Sequence, residues 1–176
     1  MARQIIDTTT GAGDTGQSGG NKINLNFVEL YPLLARPRLV AMRFGNTAFQ
    51  NNGAGFITLQ INATVIDTAN AFNTATWIYT VPETGVYEVN AKVRLADATP
   101  AGISYGLGID TSNVDSAGFF WGVTNANNLG TGNRQGLFNS RIMALNAGDP
   151  LRAFTYVDNP SAVGVIAAEL SCYRLG

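Results

Sequence analysis

The chain is predicted to be all-β, a sandwich or barrel of short strands behind an extended arm and one short helix. Three observations carry that prediction. Apolar and polar residues alternate with period two through much of the chain after Arg38. Turn residues separate the alternating runs, and one stretch alone holds an apolar seam at helical spacing. At 176 residues with 45% apolar content, the chain can fill the core of one domain.

Residues Met1–Gly20, rich in Gly, Thr, Asp and Ser, are expected to form an extended arm. Gly11-Ala12-Gly13-Asp14-Thr15-Gly16 has the letters of a dinucleotide fingerprint. It lacks the preceding strand and the βαβ context that give those glycines their work. A helix is predicted over Asn21–Tyr31, with Asn21 or Ser18 as its cap. Ile23, Phe27, Leu30 and Leu34 are spaced four, three and four, which makes one apolar seam. Pro32 ends the helix by removing a donor, and Pro37 marks an irregular connection. So short a helix must pack on something to be stable. Residues 1–37 are therefore expected to be an arm and helix, and 38–176 a β domain.

In that domain Leu39–Phe44 reads as a strand with Val40, Met42 and Phe44 on one side. Asn46–Gly55 reads as a loop. Phe56–Ile66 reads as one strand, with Ile57, Leu59, Ile61, Ala63 and Val65 on its apolar face. Asp67–Ala75 is a connection. The longest regular stretch is Trp77–Leu95, read as strand, turn, strand. Tyr87, Val89, Ala91, Val93 and Leu95 alternate with Glu88, Asn90, Lys92 and Arg94. Pro82 presets φ and Gly85 tolerates positive φ, which makes Val81–Gly85 the turn. Ile103–Ile109, Phe119–Val123, Leu137–Leu145, Leu151–Val157 and Val163–Tyr173 complete the strands, with turns at Leu145–Pro150 and Asp158–Ser161. Asn125–Asn133 is a polar loop.

Composition excludes several function classes. Net charge is −1, from 11 basic and 12 acidic residues, so no basic field exists to attract nucleic acid. Charged residues are 13% of the chain, about half of the ~25% usual in soluble domains. So sparse a charge leaves a lone subunit poorly protected from association, and an oligomer that covers much of its surface is expected. MARQIIDTTT has no apolar signal core and no window has membrane-spanning length, so neither export by a classical signal nor a membrane partner is expected.

Chemistry is constrained as tightly. There is no histidine, which rules out Ser-His-Asp and Cys-His sites and histidine-ligated zinc. Cys172 is the lone cysteine and reads as a buried small side chain. A Ser-Lys pair would need Lys22 or Lys92, one on the arm and one in a strand. Paired carboxylates for glycoside cleavage would come from Asp110, Asp115, Asp149, Asp158, Glu83 or Glu169, but most of these sit in turns, where Asp bonds locally. Asp110-Thr111-Ser112-Asn113-Val114-Asp115 clusters oxygens without matching a calcium loop, and a polar turn is the simpler reading. Asn62-Ala63-Thr64 is a glycosylation triplet in letters only, given no expected export. No enzyme activity, cofactor or metal is expected. Loops carrying Asp110, Asn113, Asp115, Trp121, Asn127 and Asn128 are the candidate ligand sites, with Trp121 and its neighbours Phe119 and Phe120 able to stack on a sugar or to fill the core.

Two resemblances add to this reading. Gly13-Asp14-Thr15, followed by Gly19-Gly20-Asn21-Lys22-Ile23-Asn24-Leu25-Asn26-Phe27-Val28-Glu29-Leu30-Tyr31, resembles the short leader of many tailed-bacteriophage virion proteins. That leader joins a Gly-Asp-Thr turn to a helix of the type Lys-Ile-Asn-x-Asn-Phe-x-Glu-Leu-Tyr. It implies a phage virion, with Ile23, Phe27, Leu30, Tyr31 and Leu34 as attachment residues. The second resemblance lies in the order of Arg36-Pro37-Arg38-Leu39-Val40-Ala41, Tyr79-Thr80-Val81-Pro82-Glu83-Thr84-Gly85-Val86-Tyr87 and Leu145-Asn146-Ala147-Gly148-Asp149-Pro150-Leu151, ahead of a β run that closes the chain. It is similar to the tumour-necrosis-factor and complement-globular-head superfamily. That resemblance implies a ten-stranded jelly roll and a homotrimer, with Tyr87, Phe138, Tyr156, Leu170 and Tyr173 near the threefold axis. The collagen stalk and the export signals of that superfamily are missing, so its partners are not carried over.

Together they imply a non-enzymatic virion protein made in the bacterial cytoplasm. It would be a homotrimeric surface knob or fibre, fastened by its N-terminus to other virion proteins of capsid or tail. A host-surface glycan or protein is the candidate ligand. The alternative is a decoration or cement protein that stabilises the head at local threefold axes.

Overall fold

The computed structural model describes residues 20–24, 36–45, 50–52, 54–96, 103–111, 124–126, 136–157 and 163–175. The chain divides into two compact units, Met1–Arg36 and Pro37–Gly176. In the first, residues 20–24 are helical and Ile23 is exposed. The rest of the expected helix lies outside the described residues.

The second unit is an antiparallel sandwich of two sheets. Its strand segments are β1 (Arg38–Phe44), β2 (Gln50–Asn52), β3 (Gly55–Thr58), β4 (Ala63–Asp67), β5 (Phe72–Asn73), β6 (Ile78–Thr80), β7 (Gly85–Leu95), β8 (Ile103–Asp110), β9 (Thr124–Ala126), β10 (Gly136–Leu145), β11 (Pro150–Val157) and β12 (Val163–Arg174). The first sheet runs β10-β7-β12-β1-β4, with β2 also on β12. The second runs β5-β6-β11-β8-β9, with β3 also on β11. This is the expected jelly-roll sandwich, with twelve strand segments among the described residues where ten strands were expected. The expected loop over Asn46–Gly55 contains β2, and the connection after Asp67 contains β5.

The alternation in β7 is realised in full. Tyr87, Val89, Ala91, Val93 and Leu95 are buried, and they meet Tyr79, Tyr105, Leu107, Ile109 and Leu151 from the other sheet in one core. Burying a large apolar side chain is worth about 1.5–3 kcal/mol, so this face is a main contributor to the core.

Two sequence expectations are corrected. The strand, turn, strand of Trp77–Leu95 would ordinarily make a hairpin, but its two strands do not pair with each other: β6 pairs with β11 in the second sheet, whereas β7 pairs with β10 and β12 in the first. The turn carries the chain across the sandwich. Period two reports which side chains point inward but not which sheet a strand joins. Phe56–Ile66 likewise is not one strand. It serves the second sheet as β3, crosses at Leu59 and Ile61, which are buried, and then edges the first sheet as β4. Val65 and Ile66 are left exposed there.

The crossing turn is held by a second turn. Val81 N donates to Asp149 O at 2.9 Å and Gly148 N to Val81 O at 2.8 Å. Ala147 N donates to Thr84 Oγ1 at 3.0 Å. The Tyr87 hydroxyl donates to Glu83 O at 2.6 Å, and Arg174 reaches Glu83 Oε2 at 2.6 Å and Thr84 O at 3.1 Å. The two motifs Pro82–Tyr87 and Leu145–Asp149 are thus a single bonded structure, which is a physical reason for them to occur together. Positive φ falls at Gly148, at +92°, and not at Gly85, since the second turn makes the tighter reversal.

Among the described residues, β8 beyond its short pairing with β9 is met by side chains from the other sheet. Asn139 Nδ2 donates to Leu107 O at 2.9 Å and Arg141 Nη1 to Ile109 O at 3.1 Å. Side chains of β10 therefore satisfy backbone acceptors that a sheet edge leaves bare.

Candidate functional site

The outer face of the first sheet is the candidate site, and the registers of its strands build it row by row. Phe44, Ala167, Arg94 and Gly136 lie side by side across β1, β12, β7 and β10. Met42, Glu169, Lys92 and Phe138 form the next row, Val40, Ser171, Asn90 and Ser140 the one after, and Arg38, Tyr173, Glu88 and Ile142 the one beyond. Along β1, β7 and β12 these residues alternate with the core residues Leu39, Ala41, Val89, Ala91, Val93, Ala168, Leu170 and Cys172, which puts the set on the side away from the core.

This face keeps large apolar groups in water. Phe44 is 71% exposed, Ile142 72% and Phe138 56%. Val65, Ile66, Val86 and Leu175 are exposed as well. Among the described residues of the β domain, these seven are the exposed large apolar side chains, and every one lies on, or directly follows, a strand of the first sheet. A concentration of this kind marks an interaction surface rather than scatter.

Between Met42 and Phe44 on one side and Phe138 on the other, the face sinks into a trough of about 500 Å³. Ala167 and Gly136 make room for it, and the Arg94 guanidinium stands 5.8 Å from the Phe44 ring centroid. Lys92 Nζ meets Glu169 Oε1 at 2.9 Å on its border. The Arg94 Nε is buried without a hydrogen-bond partner.

Of the five residues expected near a threefold axis, the structure brings Phe138 and Tyr173 onto this face. Tyr87 and Leu170 are corrected: both are fully buried at 0% exposure inside the sandwich, on the inward side of β7 and β12, and cannot touch another subunit. The residues offered by the resemblance thus fall on both sides of the first sheet, Phe138 and Tyr173 outward and Tyr87 and Leu170 inward. Tyr156 lies on the second sheet, against Phe56 at 4.9 Å between ring centroids. Phe44 and Ile142 were missed, although the signal was present. In β1 both alternating sets, Leu39 and Ala41 against Val40, Met42 and Phe44, are apolar, which is the pattern of a strand covered on two sides.

Among the candidate ligand residues, Asp110 is buried at the end of β8, where its Oδ1 accepts Thr111 N at 2.6 Å. That bond is the local turn chemistry of Asp rather than an open ligand site. Asn113, Asp115, Trp121, Asn127 and Asn128 lie outside the described residues, as do the attachment candidates Phe27, Leu30, Tyr31 and Leu34. No group of three His, Cys, Asp or Glu side chains able to hold a metal occurs among the described residues. Burial pushes the Cys172 thiol up to about 12, which leaves it a core side chain and not a nucleophile.

No family model and no curated protein sequence matches the chain. Solved structures do. The globular domain of zebrafish complement 1qA protein is similar over 80% of this chain and 98% of its own, with a TM-score of 0.54 at 14% identity. Eiger TNF from S. frugiperda covers 80% and 94%, with a TM-score of 0.54 at 17% identity. PRD1 vertex protein P5 covers 80% and 98%, with a TM-score of 0.55 at 14% identity. The β domain thus has the fold of the tumour-necrosis-factor and complement-head jelly rolls, and the same fold serves a vertex protein.

Proposed function

We propose that this chain is a non-enzymatic structural protein of a bacteriophage particle, a homotrimeric surface knob fastened through its N-terminal segment. The observation that carries the proposal is the unpartnered apolar face of the first sheet. Phe44, Phe138 and Ile142 stand in water on a subunit with few charges, and burial against two further copies removes that cost. The fold likeness to a vertex protein and the phage-type leader at Gly13–Tyr31 support the particle setting. Three chains in one knob also let three weak contacts at either end act together through effective concentration. The knob's free end is the part that meets a host-surface glycan or protein.

The test begins with sedimentation of the purified full chain at micromolar concentration, where three associated chains are expected and a single chain overturns the proposal. The trimer is then added to host cells. Adsorption and blocked infection support the adhesive knob. Particles that lack the chain and burst on heating, with no adsorption by the free trimer, select capsid decoration instead.

A further inference from the structure

We propose that neighbouring subunits join head to tail, with Ile142 of one copy seated in the trough bounded by Met42, Phe44, Arg94, Phe138 and Ala167 of the next. The inference rests on the homotrimer reading and adds the contact that closes the ring. A threefold ring needs a heterologous interface, in which one patch meets a different patch of its neighbour. The outer face of the first sheet carries both halves. The hole is the trough of about 500 Å³. The projection is Ile142, 72% exposed on the same edge strand. It lies four residues past Phe138, roughly 13 Å away at ~3.4 Å per residue, too far to fill the trough of its own subunit.

Charge sorts the two halves in the same way. The trough is lined by Arg43, Arg94 and Lys92, with Glu169 as the one acid among them. Ile142 instead sits directly across from Glu88, whose Oε1 accepts a hydrogen bond from Asn90 Nδ2 at 3.2 Å, while the one cation of that row, Arg38, lies three strands away on β1. Seating Ile142 brings Glu88 of one copy toward the cationic trough of the next, where the buried Arg94 Nε has no partner of its own. A twofold contact through the trough would set the two cationic linings against each other. The signs therefore favour the head-to-tail arrangement and a second copy of this chain as occupant.

The test uses the full chain and two readouts. In sedimentation, Ile142→Glu is expected to convert three-chain particles to single chains, with the circular dichroism spectrum unchanged because the side chain is in water. In thiol cross-linking with a short bifunctional reagent, the double variant Ile142→Cys/Ala167→Cys is expected to give covalent three-chain rings. Each single variant should give none, since Cys172 is buried. A wild-type trimer in which Ile142→Glu stays trimeric, in which the double variant does not cross-link, or in which Ile142→Cys alone cross-links to itself overturns this contact and leaves the trimer standing. A wild-type chain that sediments singly overturns both.

Discussion

The two sheets of the sandwich finish their outer faces in opposite ways. On the second sheet the aromatic residues are absorbed by the chain itself. Phe154 points outward from β11 yet is only 1% exposed, because it folds over Gly108 opposite it on β8 and meets Phe56 at 5.8 Å between ring centroids. Tyr156 repeats the arrangement beside Gly106 and Phe56. On the first sheet Phe44, Phe138 and Ile142 have no such cover. The chain can bury outward aromatics with its own glycines, and on the first sheet it does not. That contrast is what supports placing the proposed trimer contact on the first sheet rather than the second.

The largest expected effect tests the self-covered face. Removing the ring in Phe154→Ala should destabilise the isolated subunit by about 3–5 kcal/mol, read from urea unfolding. A Cβ at Gly108 would overlap that ring at Cζ and stand 2.6 Å from Cε2 and 2.8 Å from Cε1. Gly108→Ala should therefore cost about 1–3 kcal/mol, and the double variant less than the sum of the two, since the ring that clashes is gone. Additive costs would mean that the ring does not use the glycine, and the comparison between the faces would fail.

How much of this was legible in the sequence depends on what alternation can report. Tyr87, Val89, Ala91, Val93 and Leu95 were read correctly as inward because period two is a local property of the backbone. The crossings at Pro82 and at Leu59–Ile61 were not legible. A strand that changes sheets keeps its alternation while its hydrogen-bond partners change, and partners are set by segments far along the chain. The candidate face was half visible. Phe138 and Tyr173 came from resemblance, whereas Phe44 needed the observation that β1 is apolar on both sides. Gly106 and Gly108 alternate with the inward Tyr105, Leu107 and Ile109, and only the cross-strand register reveals the rings opposite them.

The next effect compares the two sides of one strand. On β12 Cys172 points into the core and Tyr173 points out. Burial raises the Cys172 thiol from its ordinary 9.0 to about 12. The folded chain therefore holds this proton more tightly than the unfolded chain does. The associated stability is complete below about pH 9 and is lost as pH rises toward 12. At about pH 10.5 the loss should be roughly 2 kcal/mol, and Cys172→Ala should lack it. Tyr79 and Tyr87, raised chiefly by burial, add to the alkaline loss in both chains at higher pH. Unfolding midpoints of the two chains at neutral pH and at pH 10.5 check the sign. Equal losses would place the thiol in contact with water and the inner face of β12 would not be closed.

The smallest effect on the subunit probes the uncovered face. The Lys92–Glu169 pair spans 2.9 Å, and the Lys92 side chain is 54% exposed. In a lone subunit such a pair is screened by solvent and is worth about 0.2–1 kcal/mol. Lys92→Met should therefore shift unfolding of dilute, dissociated subunits by less than about 1 kcal/mol. Covering the face changes the arithmetic. An interface that excludes water would leave Glu169 charged and alone, which costs about 3–5 kcal/mol for a buried pair broken on one side. Replacing both groups in Lys92→Met/Glu169→Leu removes that orphaned charge. Assembly measured by sedimentation should then be weakened by the single variant and recovered by the double one, while subunit stability stays nearly level throughout. If the single variant assembles as well as wild type, the pair stays in water after assembly, and the covered surface must lie elsewhere on the subunit.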